Sequence, residues 1–359
     1  MTSVIGLDIG GANLKASDGI NRTIERPFPM WKNPDGLPEA LRSLASALET
    51  NREQSVAFRS AKERPFAERK TTHLIAVTMT GELADCFRTK VEGVDRILDS
   101  VEAAFPAADI RVWQTGAEFF TVDEAREFPI LVAAANWHAL ATWAGRACPV
   151  GAALLIDIGS TTTDIIPLSN GTPVTEGGID PARLISGELV YTGVRRTPLC
   201  ALAPHLDFRG QRIGVAAELF ATMRDVHLWL SSIPESPDDC DSANGRPATR
   251  EFARDRLVRM LCADSAEIDE RETDDLARQW AALQRTQIRE GVERVLARQS
   301  GPPRMVLLSG EGEFIARQVL LEIPALAGVQ TLSLARVLGP EHSVGACAYA
   351  VARLAAERP

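Results

Sequence analysis

The sequence predicts an α/β protein built from two duplicated lobes, and three observations carry that expectation. An Asp-Ile-Gly turn occurs twice, in "LDIGGANLKA" (residues 7–16) and "IDIGSTTTDI" (residues 156–165), with Asp8 and Asp157 149 residues apart (157 − 8). Each turn is followed by the same strand-and-hairpin punctuation. Between and after them, short apolar runs alternate with segments of helical apolar spacing.

Taken in order, residues 4–8 read as an apolar strand closing on Asp8, Gly10-Gly11 as a turn and residues 13–17 as a second strand. Asp18-Gly19 is a hairpin signal, and residues 20–26 follow as a third strand. Residues 37–50 have helical spacing, residues 73–79 form a buried strand, residues 93–104 a helix and residues 110–114 a strand. "AAANWHALATWAG" (residues 133–145) reads as a helix lined with small side chains. The plan then repeats, with strands 153–157 and 162–168 around a turn at 159–161. Asn170-Gly171 is the hairpin and 172–176 the closing strand. Residues 214–298 turn mainly helical, broken by the loop "PESPDDCDSANGRP" at 234–247. A strand at 304–308, the "SGEGEF" loop, a helix at 314–321 and an Ala- and Gly-rich helix at 343–356 complete the chain.

At 359 residues, 45% hydrophobic and 24% charged, the chain has material for two domains and excludes wholesale disorder. A net charge of −9 and a pI of about 5.3 argue against nucleic acid or anionic membrane as partner and leave small molecules, with a homo-oligomer open. No apolar run approaches the ~18 residues that span a bilayer. The chain enters a strand-like segment at once, and its six cysteines show no CxxC spacing. A reduced, cytoplasmic setting is therefore expected.

A strand that ends in aspartate and turns through glycine can present backbone amides to an anion, typically phosphate. Asp8 and Asp157 would repel that anion, by about 1 kcal/mol at 4 Å in water and ~4 at an effective dielectric near 20, unless a divalent metal lies between. Magnesium suits such a place, because it takes one or two carboxylates plus phosphate oxygens and water. Gly10, Gly11 and Gly159 are expected to present amides, and Asn13, Lys15, Ser160, Thr161 and Thr162 to hold phosphate oxygens. Lys15 can equally be a solvated strand lysine. Asp164 occupies in the second copy the place of Lys15 in the first, as a general base, an outer metal ligand or a salt-bridge partner. Neither turn opens directly into a helix, so these are not Rossmann or Walker loops. His138, His205 and His227 stand isolated and read as structural.

With these residues in place, the chain resembles the sugar kinase, actin and Hsp70 superfamily. "LDIGGANLKA" and "IDIGSTTTDI" resemble its two phosphate loops, "AANWHALATWAG" and "SVGACAYAVARLAA" its connecting helices, and "LLSGEGEFIA" its nucleotide-side glycine loop. Five elements in the right order are more specific than any one. The resemblance implies two ribonuclease H-like (actin-like ATPase) domains facing an interdomain phosphate and magnesium cleft, with a mainly helical insertion in the second. The domains would be residues 1–147 plus 343–359, and residues 148–342 including the helical region 214–298. Gly310, Glu311 and Gly312 would add phosphate contacts, with Asp8, Asp157, Asp164 and Lys15 catalytic and Asp8 and Asp157 on the metal.

Within the superfamily, "VTMTGELADCF" (77–87), "ELVYTGVRRTPLCAL" (188–202) and "NGRPATREFARDRLVRM" (244–260) resemble the hydantoinase/oxoprolinase-related group and, within it, the condensing enzymes of methanofuran biosynthesis, linked to tetrahydromethanopterin C1 metabolism. That resemblance implies a transferase joining (5-aminomethyl-3-furyl)methyl diphosphate to the phenol of a γ-glutamyl-tyramine- or tyrosine-type acceptor, with release of pyrophosphate. Mg2+ would assist, and ATP is possible but not required. Arg195 and Arg196 could clamp diphosphate or the acceptor's carboxylate, with one of the pair expected to matter. Asn136 could touch substrate or serve helix packing. The alternatives are an ATP-dependent small-molecule kinase, an amide hydrolase, or an actin-like nucleotide-binding protein.

Overall fold

The structure is a computed structural model that describes residues 3–57 and 73–358. Its first half builds a sheet from β1 (Ser3–Ile9), β2 (Asn13–Ser17), β3 (Thr23–Pro27), β4 (His73–Met79), β5 (Asp109–Trp113) and β6 (Phe119–Phe120), in the order β3-β2-β1-β4-β5-β6. β1 to β3 form an antiparallel meander, whereas β4 and β5 join β1 in parallel. Parallel strands need crossovers, and helices Leu37–Ala57 and Lys90–Ala104 supply them. Leu41, Leu44, Ile97 and Leu98 from these helices bury against Ile5, Leu7, Ile75 and Val77 on one face of the sheet.

The second half carries β7 (Ala152–Ile158), β8 (Thr163–Ser169), β9 (Thr172–Pro173), β10 (Leu189–Val190), a separate hairpin of β11 (His205–Phe208) and β12 (Gln211–Gly214), then β13 (Met305–Ser309) and β14 (Gln330–Ser333). Its main sheet runs β10-β8-β7-β13-β14, with β9 on the far end of β8. The antiparallel β7–β8 pair and the parallel β7–β13 pair repeat the plan of β2-β1-β4. The duplicated α/β architecture expected from the two turns is present.

Three local expectations need correction. The closing strand at 172–176 shrinks to two residues, and β10 covers the other end of β8, pairing Leu189 with Asp164. Pro173 cannot donate to the ladder and Gly177-Gly178 weakens any extension. The chain instead detours through helix Asp180–Ser186, with proline in its first turn. The helix expected at 133–145 starts at Asn136, because Ala134 adopts a positive φ of 50°. The closing helix divides at Gly345 into Pro340–Val344 and Ala346–Ala356. The β11–β12 hairpin has no counterpart in the sequence reading, although its turn residues Arg209 and Gly210 both take positive φ.

Helices Asn136–Ala144 and Ala346–Ala356 lie between the two sheets. Ala139, Val351 and Leu354 pack with Leu74, Ala76 and Trp113 of the first lobe. Leu140, Ala141, Ala346 and Ala350 pack with Leu155, Ile166 and Leu307 of the second. Small side chains make this possible. A Cβ on Gly6 would lie 2.2 Å from the carbonyl oxygen of Ala348, so β1 touches the helix backbone directly. In the region 214–298, helices Met223–Trp229, Arg250–Arg259 and Glu270–Leu296 form their own core around Trp280. The last of these is the tie to the sheet, because its C-terminal half carries Ile288, Val292 and Val295 into the second lobe's core. Among the described residues no helix is long and apolar enough to cross a membrane.

Candidate functional site

Both Asp-Ile-Gly turns open into one cleft of about 610 Å³ between the lobes. Strand register explains their equivalence: Asp8 on β1 stands opposite Lys15 on β2, and Asp157 on β7 stands opposite Asp164 on β8. The turns close alike, with Gly10 N–H donating to Asn13 O at 3.0 Å and Gly159 N–H to Thr162 O at 2.9 Å. Those two amides are therefore engaged within the turns, contrary to their expected role as anion donors. An anion would meet groups further round each turn.

The cleft wall brings together Asp8, Gly10, Gly11, Asn13 and Lys15 from the first lobe with Asp157, Gly159, Ser160, Thr161, Thr162 and Asp164 from the second. Asn136 lies at its floor and also donates to Cys347 Sγ at 3.7 Å, so it lines the cleft and ties the two central helices. Of the Gly-Glu-Gly loop, Gly310 reaches the cleft. Glu311 instead accepts from Arg195 Nε at 2.7 Å, and Gly312 N–H donates to Ile158 O at 2.9 Å. Glu311, Gly312 and Arg195 are thus not among the lining residues. Arg196 is, with its guanidinium 5.1 Å from the centre of the Trp31 ring on the opposite lobe. The two arginines diverge because the amides of both donate to Ser160 O, which pins their loop against the second turn and leaves the side chains to part.

Charges in the cleft are strained by burial. Asp8 is 5% exposed, its Oδ1 has no hydrogen-bond partner among the described residues, and burial lifts its pKa although Lys15 opposes the rise. Burial works against the Lys15 charge, yet Asp8 and Glu25 hold it above the ordinary lysine value. Burial and the neighbouring Asp164 push Asp157 up to about 7. Two disfavoured carboxylates and an orphan oxygen are what a divalent cation would relieve. No cluster of three ligating side chains occurs among the described residues. A magnesium ion would accordingly be held by Asp8 and Asp157, with phosphate and water oxygens completing its shell.

Several cleft residues were not picked out from sequence. Arg183, 1% exposed on helix Asp180–Ser186, donates to Asp164 Oδ1 at 2.7 Å and lies 4.1 Å over the Trp137 ring. Of the roles open to Asp164, the structure shows the salt bridge. Lys90 of the first lobe bridges to Asp180 of the second at 3.0 Å and stands 4.0 Å from Glu82. Glu82 is 1% exposed and lines the cleft. The signal for it was the segment "VTMTGELADCF", used only as a family feature. Arg183 had no such signal, because its partners lie in other elements.

Two facing α/β lobes, each ending its first strand in Asp-Ile-Gly over a shared cleft and joined by two small-residue helices, make an actin-like fold. An acetone carboxylase in its nucleotide-free structure shares this fold, with a TM-score of 0.52 at 12% identity over 98% of this chain and 70% of that one. The hydantoinase/oxoprolinase family pattern matches residues 73–358, and the chain belongs to that family. It is also similar to the (4-{4-[2-(gamma-L-glutamylamino)ethyl]phenoxymethyl}furan-2-yl)methanamine synthase of Methanocaldococcus jannaschii. The two are 34% identical over 354 residues, 98% of this chain and 97% of the relative. The protein of the same name from Methanococcus vannielii is 30% identical over 201 residues, 56% of this chain and 89% of that one.

Proposed function

We propose that this chain is a synthase of the same kind, a Mg2+-assisted transferase of methanofuran biosynthesis acting in the cytoplasm. It would join (5-aminomethyl-3-furyl)methyl diphosphate to the phenol of γ-glutamyl-tyramine, forming the phenoxymethyl ether and releasing pyrophosphate. The observation that carries this reading is the near-full-length match to the M. jannaschii synthase, whose name describes that ether.

The cleft supports the chemistry. Lys15 and Arg196 supply positive charge for a diphosphate, and Ser160, Thr161 and Thr162 supply hydroxyls. Magnesium bound by Asp8 and Asp157 would spread the charge of the departing pyrophosphate. As the C–O bond to diphosphate breaks, its electron pair leaves with pyrophosphate, and the furan delocalises the positive charge on the methylene. The phenol oxygen forms the new C–O bond and loses its proton. The two lobes would hold donor and acceptor in line within one cleft. ATP has no place in this balance.

The test offers purified protein the furan diphosphate, γ-glutamyl-tyramine and Mg2+, and follows pyrophosphate and ether by mass spectrometry. Equal amounts of both are expected. Asp157→Asn should lower turnover by about 100-fold or more, as loss of a group stabilising transition-state charge does. In the wild type, Mg2+ with pyrophosphate should raise Tm, and this variant should lose that rise. ATP hydrolysis without ether would overturn the reading.

A further inference from the structure

Ether formation from a phenol leaves one requirement unassigned, since a phenol of pKa near 10 keeps its proton at neutral pH. The cleft-lining carboxylates are Asp8, Glu82, Asp85, Asp157, Asp164 and Asp180. Asp8 and Asp157 stand at the two turns. Asp164 is held by Arg183 at 2.7 Å and Asp180 by Lys90 at 3.0 Å. Asp85 is solvent-exposed. Glu82 shares with Asp8 a buried oxygen without a hydrogen-bond partner among the described residues, but it lies outside the two turns that would hold the metal. It is 1% exposed, its Oε2 is buried without a hydrogen-bond partner among the described residues, and its nearest cation, Lys90, stands 4.0 Å away.

Building on the synthase reading, we propose that Glu82 is the general base of the condensation. Its carboxylate takes the phenol O–H proton as the phenol oxygen bonds to the furanylmethyl carbon and pyrophosphate leaves with the electrons of the broken bond. The proton then passes to solvent, so the step needs no further reactant.

The surroundings suit the role. Gly93, in the first turn of helix Lys90–Ala104, fixes the Glu82 backbone, since a Cβ there would lie 1.9 Å from the Glu82 carbonyl oxygen. The next residue, Leu83, is 61% exposed on the cleft wall and offers apolar surface to an aromatic acceptor. Burial brings Glu82 up to about 7; its own amide, Lys90 and the amide of Ala134 pull the other way, and Asp180 adds to the rise. A base near neutrality balances availability against proton affinity.

The test compares wild type, Glu82→Gln and Glu82→Asp with two acceptors, γ-glutamyl-tyramine and a ring-fluorinated analogue whose phenol is already ionised at mildly alkaline pH. Glu82→Gln should lose about 100-fold or more in kcat with the ordinary phenol yet stay within about tenfold of wild type with the fluorinated one. Wild type and Glu82→Asp should show a rate that rises with pH through the neighbourhood of 7 with the ordinary phenol, and Glu82→Gln should lack that limb. Should Glu82→Gln fail a thermal-unfolding check, the Glu82→Asp profile decides. Unchanged kcat, or an equal loss with both acceptors, would overturn the base assignment while the synthase reading stands. Absence of ether from wild type with either acceptor would overturn both.

Discussion

At the residue scale, buried groups are governed by what they can bond. His227 is 3% exposed and its Nε2 lies 3.1 Å from Gln284 Oε1, while Gln284 Nε2 donates to Gly193 O at 2.7 Å and Thr192 Oγ1 at 3.0 Å. A chain of polar contacts thus runs from the helical region to the loop beneath the second Asp-Ile-Gly turn. Burial lowers the His227 pKa from 6.5 to about 4. A depressed folded-state pKa contributes stability above the unfolded value that is lost as pH falls through the folded one. Stability should therefore drop between about pH 6.5 and 4, by on the order of 3 kcal/mol from this residue. Urea unfolding across that range should show a shallower decline in His227→Asn, with His138, lowered to about 4 by burial, supplying part of the remainder. An identical decline in both proteins would remove His227 as a cause. The sequence marked these histidines as structural because each stands alone. It could not show which partner each one meets, the Gln284 amide for His227 and the Trp113 indole N–H for His138.

At the element scale, the turns and strands were legible because their signals are local. Alternation and Gly-rich punctuation placed Asp8, Lys15, Asp157 and Asp164 on adjacent strands, and the register pairs them as the duplication implied. Elements whose form depends on distant packing were not legible. Helix Asp180–Ser186, at residues to which the sequence assigned no element, delivers Arg183 to Asp164, and the closing helix divides at Gly345. Gly93 offers a test of such packing. In an exposed helix, Gly→Ala stabilises by about 1 kcal/mol. Here the added Cβ meets backbone at 1.9 Å. Gly93→Ala should instead destabilise by about 1–3 kcal/mol in urea unfolding, with a fall in kcat as Glu82 is displaced. A stabilised, fully active variant would show that the Glu82 backbone moves freely.

At the scale of the whole molecule, the lobes meet through two central helices and through side chains across the cleft mouth. Lys90 and Asp180 bridge the lobes at 3.0 Å, and Arg196 stacks over Trp31. A partly buried ion pair such as Lys90–Asp180 contributes about 1 kcal/mol and weakens with salt. Asp180→Asn should therefore speed hydrogen exchange along helix Asp180–Ser186 at low ionic strength. The difference from wild type should fade at high salt. Equal exchange at both salt levels would show that the central helices alone set the closure.

By itself the sequence determined that two equivalent Asp-Ile-Gly turns exist, that each ends a buried strand, and which polar side chains follow them. Strand periodicity and turn chemistry act over a few residues, so one chain segment contains the information. Only the tertiary structure decided that Arg183 faces Asp164, that Arg195 turns to Glu311 while Arg196 reaches the cleft, and that Glu82 lies buried with one oxygen lacking a hydrogen-bond partner among the described residues. Those outcomes depend on contacts between segments tens to hundreds of residues apart. There, burial and partner availability set the charge of a carboxylate.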